Sequence, residues 1–153
     1  MLTCSSIKTS YIPMVCCCYA AEKMPNENQS EVAETLVFRT NEERTRRGLT
    51  KLEVDDAVSQ AASIRASEQR VQFSHTRPNG MPYYTVFSQI GIGGTKCGEN
   101  LARGQTWEVE QIFQAWMNSE GHRANILNPG FTKIGISYVE SNGIGYFCQL
   151  FTN

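Results

Sequence analysis

The sequence predicts an α+β fold, an α-β-α sandwich with a central antiparallel sheet. Helical patterns come first and the chain closes on a hairpin. There, Ile134, Ile136 and Tyr138 alternate with Lys133, Gly135 and Ser137, Asn142-Gly143 suits a type I′ turn, and Ile144 to Phe151 returns as a nearly all-apolar strand. A strand apolar on both faces must be covered on both faces, so the helices have to divide into two layers. At 153 residues, 41% of them hydrophobic, the chain can bury one sizeable core and has no room for a second domain.

The first residues read as a leader. Lys8 precedes a modest apolar run from Tyr11 to Ala21, and Cys18-x-Ala20 offers the small residues of a signal-peptidase site. Pro13 interrupts the run, which is shorter than the roughly 20 apolar residues of a transmembrane helix, so no membrane span is expected. A retained, cysteine-bearing leader is the alternative. Pro25 to Gln29 is polar and reads as a linker, which makes residues 1–29 leader and linker and residues 30–153 the domain.

Within the domain, the first helix should start near Ser30. Val32, Leu36 and Val37 form its apolar stripe, Asn41 and Arg44 fall three apart, and Gly48 ends it. A second helix is expected from an N-cap at Asp55 or Asp56 to about Val71, its alanines allowing close packing. Between Phe73 and Cys97, breakers such as Pro78, Asn79-Gly80 and Gly93-Gly94 imply loops, with room for a short helix over Tyr83 to Ile90. A further helix is N-capped by Thr106, carries Glu108 and Glu110 in its first turn, and buries Val109, Ile112, Phe113 and Trp116 at i, i+3, i+4 and i+7. Gly121 would supply the left-handed residue that stops it, placing His122 just past the break, and Arg123 to Leu127 forms at most a short turn.

Composition narrows the functions. A net charge of -1 and a pI near 6.1 leave no basic surface for nucleic acid or anionic lipid. Four of the six cysteines, Cys4, Cys16, Cys17 and Cys18, lie in the leader. Cys97 and Cys148 remain, either bridged or as two small thiols, and neither has a partner at zinc-thiolate spacing. His75 and His122 are the only histidines. Histidine is the residue best suited to carry protons or ligate metal near neutral pH, so a shared cleft between them is the leading site.

The blocks Asn41-Glu-Glu-Arg44, Phe73 to Gly80, Gly98 to Ala102, Gly121-His122-Arg123-x-Asn125-Ile126-Leu127, Gly135-Ile136 and Gln149-Leu150-Phe151 occur in a definite order. In that order they resemble the signature of the CAP superfamily (cysteine-rich secretory, antigen 5 and pathogenesis-related 1 proteins, or SCP domain), in its bacterial form. The resemblance runs from about Ser30 to Asn153 and implies the same α-β-α sandwich and a secreted, extracellular protein. It also implies a central cavity lined by two histidines and two acids. His75, Glu99 and His122 match three of those positions; the fourth, often glutamate, is Ser119 here, with Glu120 adjacent. Asn41 and Arg44 match a pair that ties the first helix to neighbouring backbone, and Asn100, Trp116 and Asn125 read with them as scaffold.

Three readings of His75, Glu99 and His122, with Ser119 and Glu120 in the same cleft, stand side by side. They form a hydrogen-bonded network in which Glu99 accepts from a histidine and from backbone amides. They form a zinc site on His75 and His122. Or a serine, Ser119 or Ser74, is a nucleophile beside a histidine, although no Gly-x-Ser-x-Gly elbow exposes one. Two functions follow: a monomeric binding module for a small molecule, lipid or peptide that requires no cofactor beyond an optional zinc ion, or a metal-dependent hydrolase with Glu99 or Glu120 as general base.

Overall fold

In the computed structural model, which describes residues 25–93, 96–105 and 109–153, four strands form one sheet in the order β1-β3-β4-β2. They are β1 (Glu53–Val54), β2 (Cys97–Gly104), β3 (Lys133–Ser141) and β4 (Ile144–Thr152). The helices are α1 (Pro25–Arg46), α2 (Asp56–Gln69), α3 (Thr85–Gln89), α4 (Val109–Asn118) and α5 (Glu120–Ile126). The apolar run before Pro25, the Thr106 cap and Glu108 lie outside the described residues.

The closing hairpin sets the register of the sheet. Asn142 and Gly143 both take positive φ, 53° and 73°, the pair a type I′ turn demands, and Ser141 faces Ile144 across it. Along β4, alternate residues then enter opposite cores. Phe147 and Phe151 join Val32, Leu36, Phe113, Trp116 and Ile134 beneath α1, α4 and α5; Cys148 and Leu150 join Val58, Ala61, Ala62 and Ala66 beneath α2 and α3. The sandwich is therefore a consequence of one strand buried on both sides.

Helix α1 starts five residues before the expected Ser30, so Pro25 to Gln29 is helix and not linker. Proline at a first helical position costs nothing, because its missing N–H has no partner there in any case. Gly48, at φ 75°, ends the segment that follows. Asp55 caps α2, accepting from the Ala57 and Val58 amides. The buried alanines let α2 lie against β3 at Gly135, where an added Cβ would meet Val58 backbone at 2.3 Å.

Two further expectations are corrected, on the sheet and on Gly121, and the open alternative for the cysteines is resolved. The sheet is mixed, because the two-residue β1 runs parallel to β3. The Asn41 side chain draws the chain into that position by donating to the Leu52 carbonyl and accepting from its amide. Gly121 does not end α4; it lies inside α5, and the break is Ser119 in extended conformation, φ -90° and ψ 124°. The segment after His122 is consequently a helix and not a turn. Cys97 and Cys148 are free. Cys97 pairs opposite Thr152, whereas Cys148 pairs opposite Leu101. They are thus four strand positions apart, roughly 13 Å along the sheet, too far to bridge. Among the described residues no helix is long and apolar enough to cross a membrane.

Candidate functional site

Strand β2 lies at the edge of the sheet and its even-numbered residues bond to β4, as the register from the hairpin requires. Cys97, Glu99 and Leu101 therefore turn their backbone outward. Each of those carbonyls is met by a side-chain donor: Tyr83 Oη to Cys97 at 3.2 Å, Asn125 Nδ2 to Glu99 at 3.3 Å and Trp116 Nε1 to Leu101 at 3.1 Å. An edge strand is thereby closed to further strand pairing and the loops and helices around it are fixed.

Side chains of β2 alternate between the two layers. Glu99 points toward α2 and is fully buried there. Arg65 of α2 donates to both of its oxygens, Nε to Oε2 at 2.7 Å and Nη2 to Oε1 at 3.1 Å, and His75 Nδ1 lies 2.8 Å from Oε1. The Cys148 thiol approaches the other oxygen at 3.8 Å; burial first and the neighbouring Glu99 second push that thiol's pKa far up, so it is an inert donor. With both carboxylate oxygens accepting from a guanidinium, His75 donates its Nδ1 proton and neutral His75 presents an unprotonated Nε2. Its side chain is 58% exposed.

Asn100 points to the opposite layer. Its amide donates to the His122 carbonyl at 3.1 Å and to Gln149 at 2.9 Å, and its oxygen accepts from Asn125 at 2.9 Å. Arg44, buried without a carboxylate partner, donates to the carbonyls of Thr50, Ile126, Asn128 and Phe131. It thereby holds the carboxyl end of α5 while Asn100 holds its middle. His122 is half-buried, and its pKa is lowered by that burial first and then, whenever His75 is protonated, by the charge of that ring.

His75 and Glu99 are thus hydrogen-bonded at the β2 edge, and His122 enters from α5, where Asn100 holds its backbone carbonyl and the charge of His75 reaches its ring. Among the described residues Glu99 accepts from Arg65, His75 and the Cys148 thiol, not from the backbone amides expected of a network. Ser119 is half-buried at the α4–α5 junction, makes no capping bond through its side chain, and leaves the fourth acidic position unfilled; Glu120 is exposed. Among the described residues no cluster of three or more histidine, cysteine or acidic side chains is placed to hold a metal ion. Two grooves lie elsewhere. One of about 780 Å³ runs between α1 and α4 past Arg39, Phe113 and Arg123, and an apolar one of about 540 Å³ is lined by Val37, Phe38, Val54 and Ile136.

Arg65, Glu68, Gln69, Arg77 and Tyr83 were not anticipated from the sequence. One signal was present: Arg65 and Gln69 fall on the stripe Val58, Ala61, Ala62, Ala66 that packs α2 on the sheet, and a charged or amide side chain on a buried stripe demands a buried partner.

Comparison with known proteins agrees with this architecture. Residues 37–151 match the model of the CAP family, described as the cysteine-rich secretory protein family. The uncharacterized protein YkwD of Bacillus subtilis (strain 168) is 40% identical over 117 residues, which are 75% of this chain and 45% of that protein. The crystal structure of an extracellular protein containing an SCP domain from Bacillus anthracis str. Ames superposes with a TM-score of 0.75 at 25% identity, over 84% of this chain and 43% of that one. NaASP2, crystallised with Zn2+, is more distant, with a TM-score of 0.61 and 15% identity over 83% of this chain and 82% of that one. The chain spans less than half the length of the two Bacillus proteins.

Proposed function

Because this chain belongs to the cysteine-rich secretory protein (CAP) family, we propose that it is a secreted binding module that takes a small ligand, lipid or peptide through His75 and His122, with a divalent metal as an exchangeable partner of the two rings. The observation that carries this reading is the state of Glu99. Its oxygens are committed to Arg65 and His75, so it orients an imidazole instead of acting on a ligand itself. His75 then offers Nε2 outward, and His122, its pKa lowered by burial, stays an uncharged imidazole near neutral pH.

Two nitrogen donors fit a loosely held divalent ion with water or ligand in its remaining positions, and do not fit a structural zinc, which takes four protein ligands. Bound there, such an ion would supply a positive centre for a carboxylate or phosphate of the ligand. The likeness to NaASP2, solved with Zn2+, supports the choice of ion. Secretion rests on the composition of residues 1–24 and on the description of the B. anthracis relative as extracellular. The hydrolase reading with Glu99 as base has less support, since a general base must be free to take a proton and Glu99 already accepts from a guanidinium; Glu120, exposed at the start of α5, is the base that reading would need.

The test is a calorimetric titration of Zn2+ into the protein and into a His75→Ala/His122→Ala variant. Saturable heat from the first and none from the second is expected. Equal heats from both would overturn the assignment.

A further inference from the structure

We propose that Gln69 and Arg77 are positioning residues for His75: with Arg65 they clamp the segment 74–77 to the last turns of α2 on both sides of the histidine, and so keep its ring on Glu99. His75 belongs to the loop between α2 and α3, and more than half of its side chain faces solvent. An imidazole in such a place would ordinarily exchange rotamers on the nanosecond scale. Here its neighbours are fixed from below. On the upstream side the Gln69 amide grips Ser74 twice, accepting from its N–H at 2.9 Å and donating to its carbonyl at 3.1 Å, and Arg65 Nη2 donates to the same carbonyl at 2.8 Å.

On the downstream side the buried Arg77 guanidinium donates to Glu68 at 2.7 and 3.0 Å, to Gln89 at 2.6 Å and to Thr85 at 3.1 Å. Glu68 also accepts from Arg65 at 2.5 Å. Burial works against the Glu68 carboxylate, but the hydrogen bonds from Arg77 and Arg65 hold its pKa below the usual range. The contacts close a circuit, Arg77 to Glu68 to Arg65 to Glu99 to His75, that begins and ends in one loop two residues apart. Burying this many charges is costly, and apolar side chains would secure a loop as well or better. The charged circuit does what they could not: it fixes a particular ring atom on a particular carboxylate oxygen.

The consequence for binding rests on the reading that His75 holds the ligand; the clamp itself does not, and the two are separable. Histidine nitrogen resonances of the metal-free, 15N-labelled full chain report the His75 tautomer directly. The wild type should show one neutral tautomer, protonated at Nδ1. In Gln69→Ala and Arg77→Ala the His75 signals should become those of a tautomer mixture, while the signals of His122, whose backbone carbonyl Asn100 holds in the opposite layer, keep their positions and report that the fold is intact. Zn2+ affinity should fall by about tenfold or more, the usual effect of losing support behind a ligating histidine. Arg77→Lys, which keeps the charge without the planar fork, covers the case that Arg77→Ala does not fold and should fall between. Unchanged His75 signals and unchanged Zn2+ affinity in Gln69→Ala and Arg77→Lys would overturn the proposal. A wild type that binds no Zn2+ yet loses its single tautomer on Gln69→Ala would uphold the clamp and remove the metal from the binding reading.

Discussion

Glu99 and Arg65 show what a buried pair costs and what it secures. Both side chains are fully buried, and each satisfies hydrogen-bonding capacity the other cannot leave open. Glu99→Gln should destabilise the protein by about 3 to 5 kcal/mol in chemical denaturation, because the Arg65 charge is left underpaired in the core. Trp116→Ala should cost about as much, roughly 3 to 5 kcal/mol, since the indole is buried and its Nε1 closes the Leu101 carbonyl. A melt unchanged by that substitution would remove Trp116 from the core. Asp55 gives a pH-dependent case. A hydrogen bond from Lys133 first, then the Val58 amide, hold its carboxyl below the usual range. A carboxylate whose folded pKa is depressed contributes stability above its unfolded pKa, near 3.9, and loses it as the pH falls through the folded value. Asp55→Ala should therefore lower stability by about 1 kcal/mol at pH 7, and the gap to wild type should close in melts below about pH 4.

Among the elements, those with strong periodicity were legible and those with short or disguised patterns were not. The Val109 to Trp116 stripe and the Asn142-Gly143 hairpin announce themselves because each satisfies one period over several residues. Strand β2 does not, since Gly98, Asn100, Ala102 and Gly104 supply no apolar alternation; a polar strand is affordable here because Asn100 finds Gln149, Asn125 and the His122 carbonyl. A two-residue β1 is too short for any period to register. Gly121 misled because glycine is the usual helix stop, yet an extended Ser119 had already ended α4. Gly135 carries structural weight that its sequence conceals: α2 lies so close that a Cβ would meet Val58 carbonyl carbon at 2.3 Å and Ser59 nitrogen at 2.4 Å. Gly135→Ala should force α2 and β3 apart, at about 1 to 3 kcal/mol by the usual cost of overpacking, and a melting temperature equal to wild type would show that the layers can slide freely.

At the scale of the molecule, the site is an outcome of topology. His75 lies in the loop between α2 and α3 and His122 in α5 of the opposite layer, and the outermost strand β2 holds one through Glu99 and the other through Asn100. The sequence marked the three residues through their blocks, but not the division of labour among them, because that division depends on Arg65, which reaches Glu99 across 34 positions of chain. Glu99 as the residue that orients, and the two imidazoles as the residues that bind, is the distinction on which the functional reading turns. X-ray absorption at the zinc edge of the Zn2+-loaded protein tests it most directly, paired with the same spectrum of the His75→Ala/His122→Ala variant. The expected wild-type spectrum has two imidazole nitrogens and otherwise water oxygens around the metal, with no bound zinc in the variant. A variant that keeps the same imidazole signal, or a wild-type spectrum with carboxylate coordination that disappears in Glu99→Gln, would contradict it.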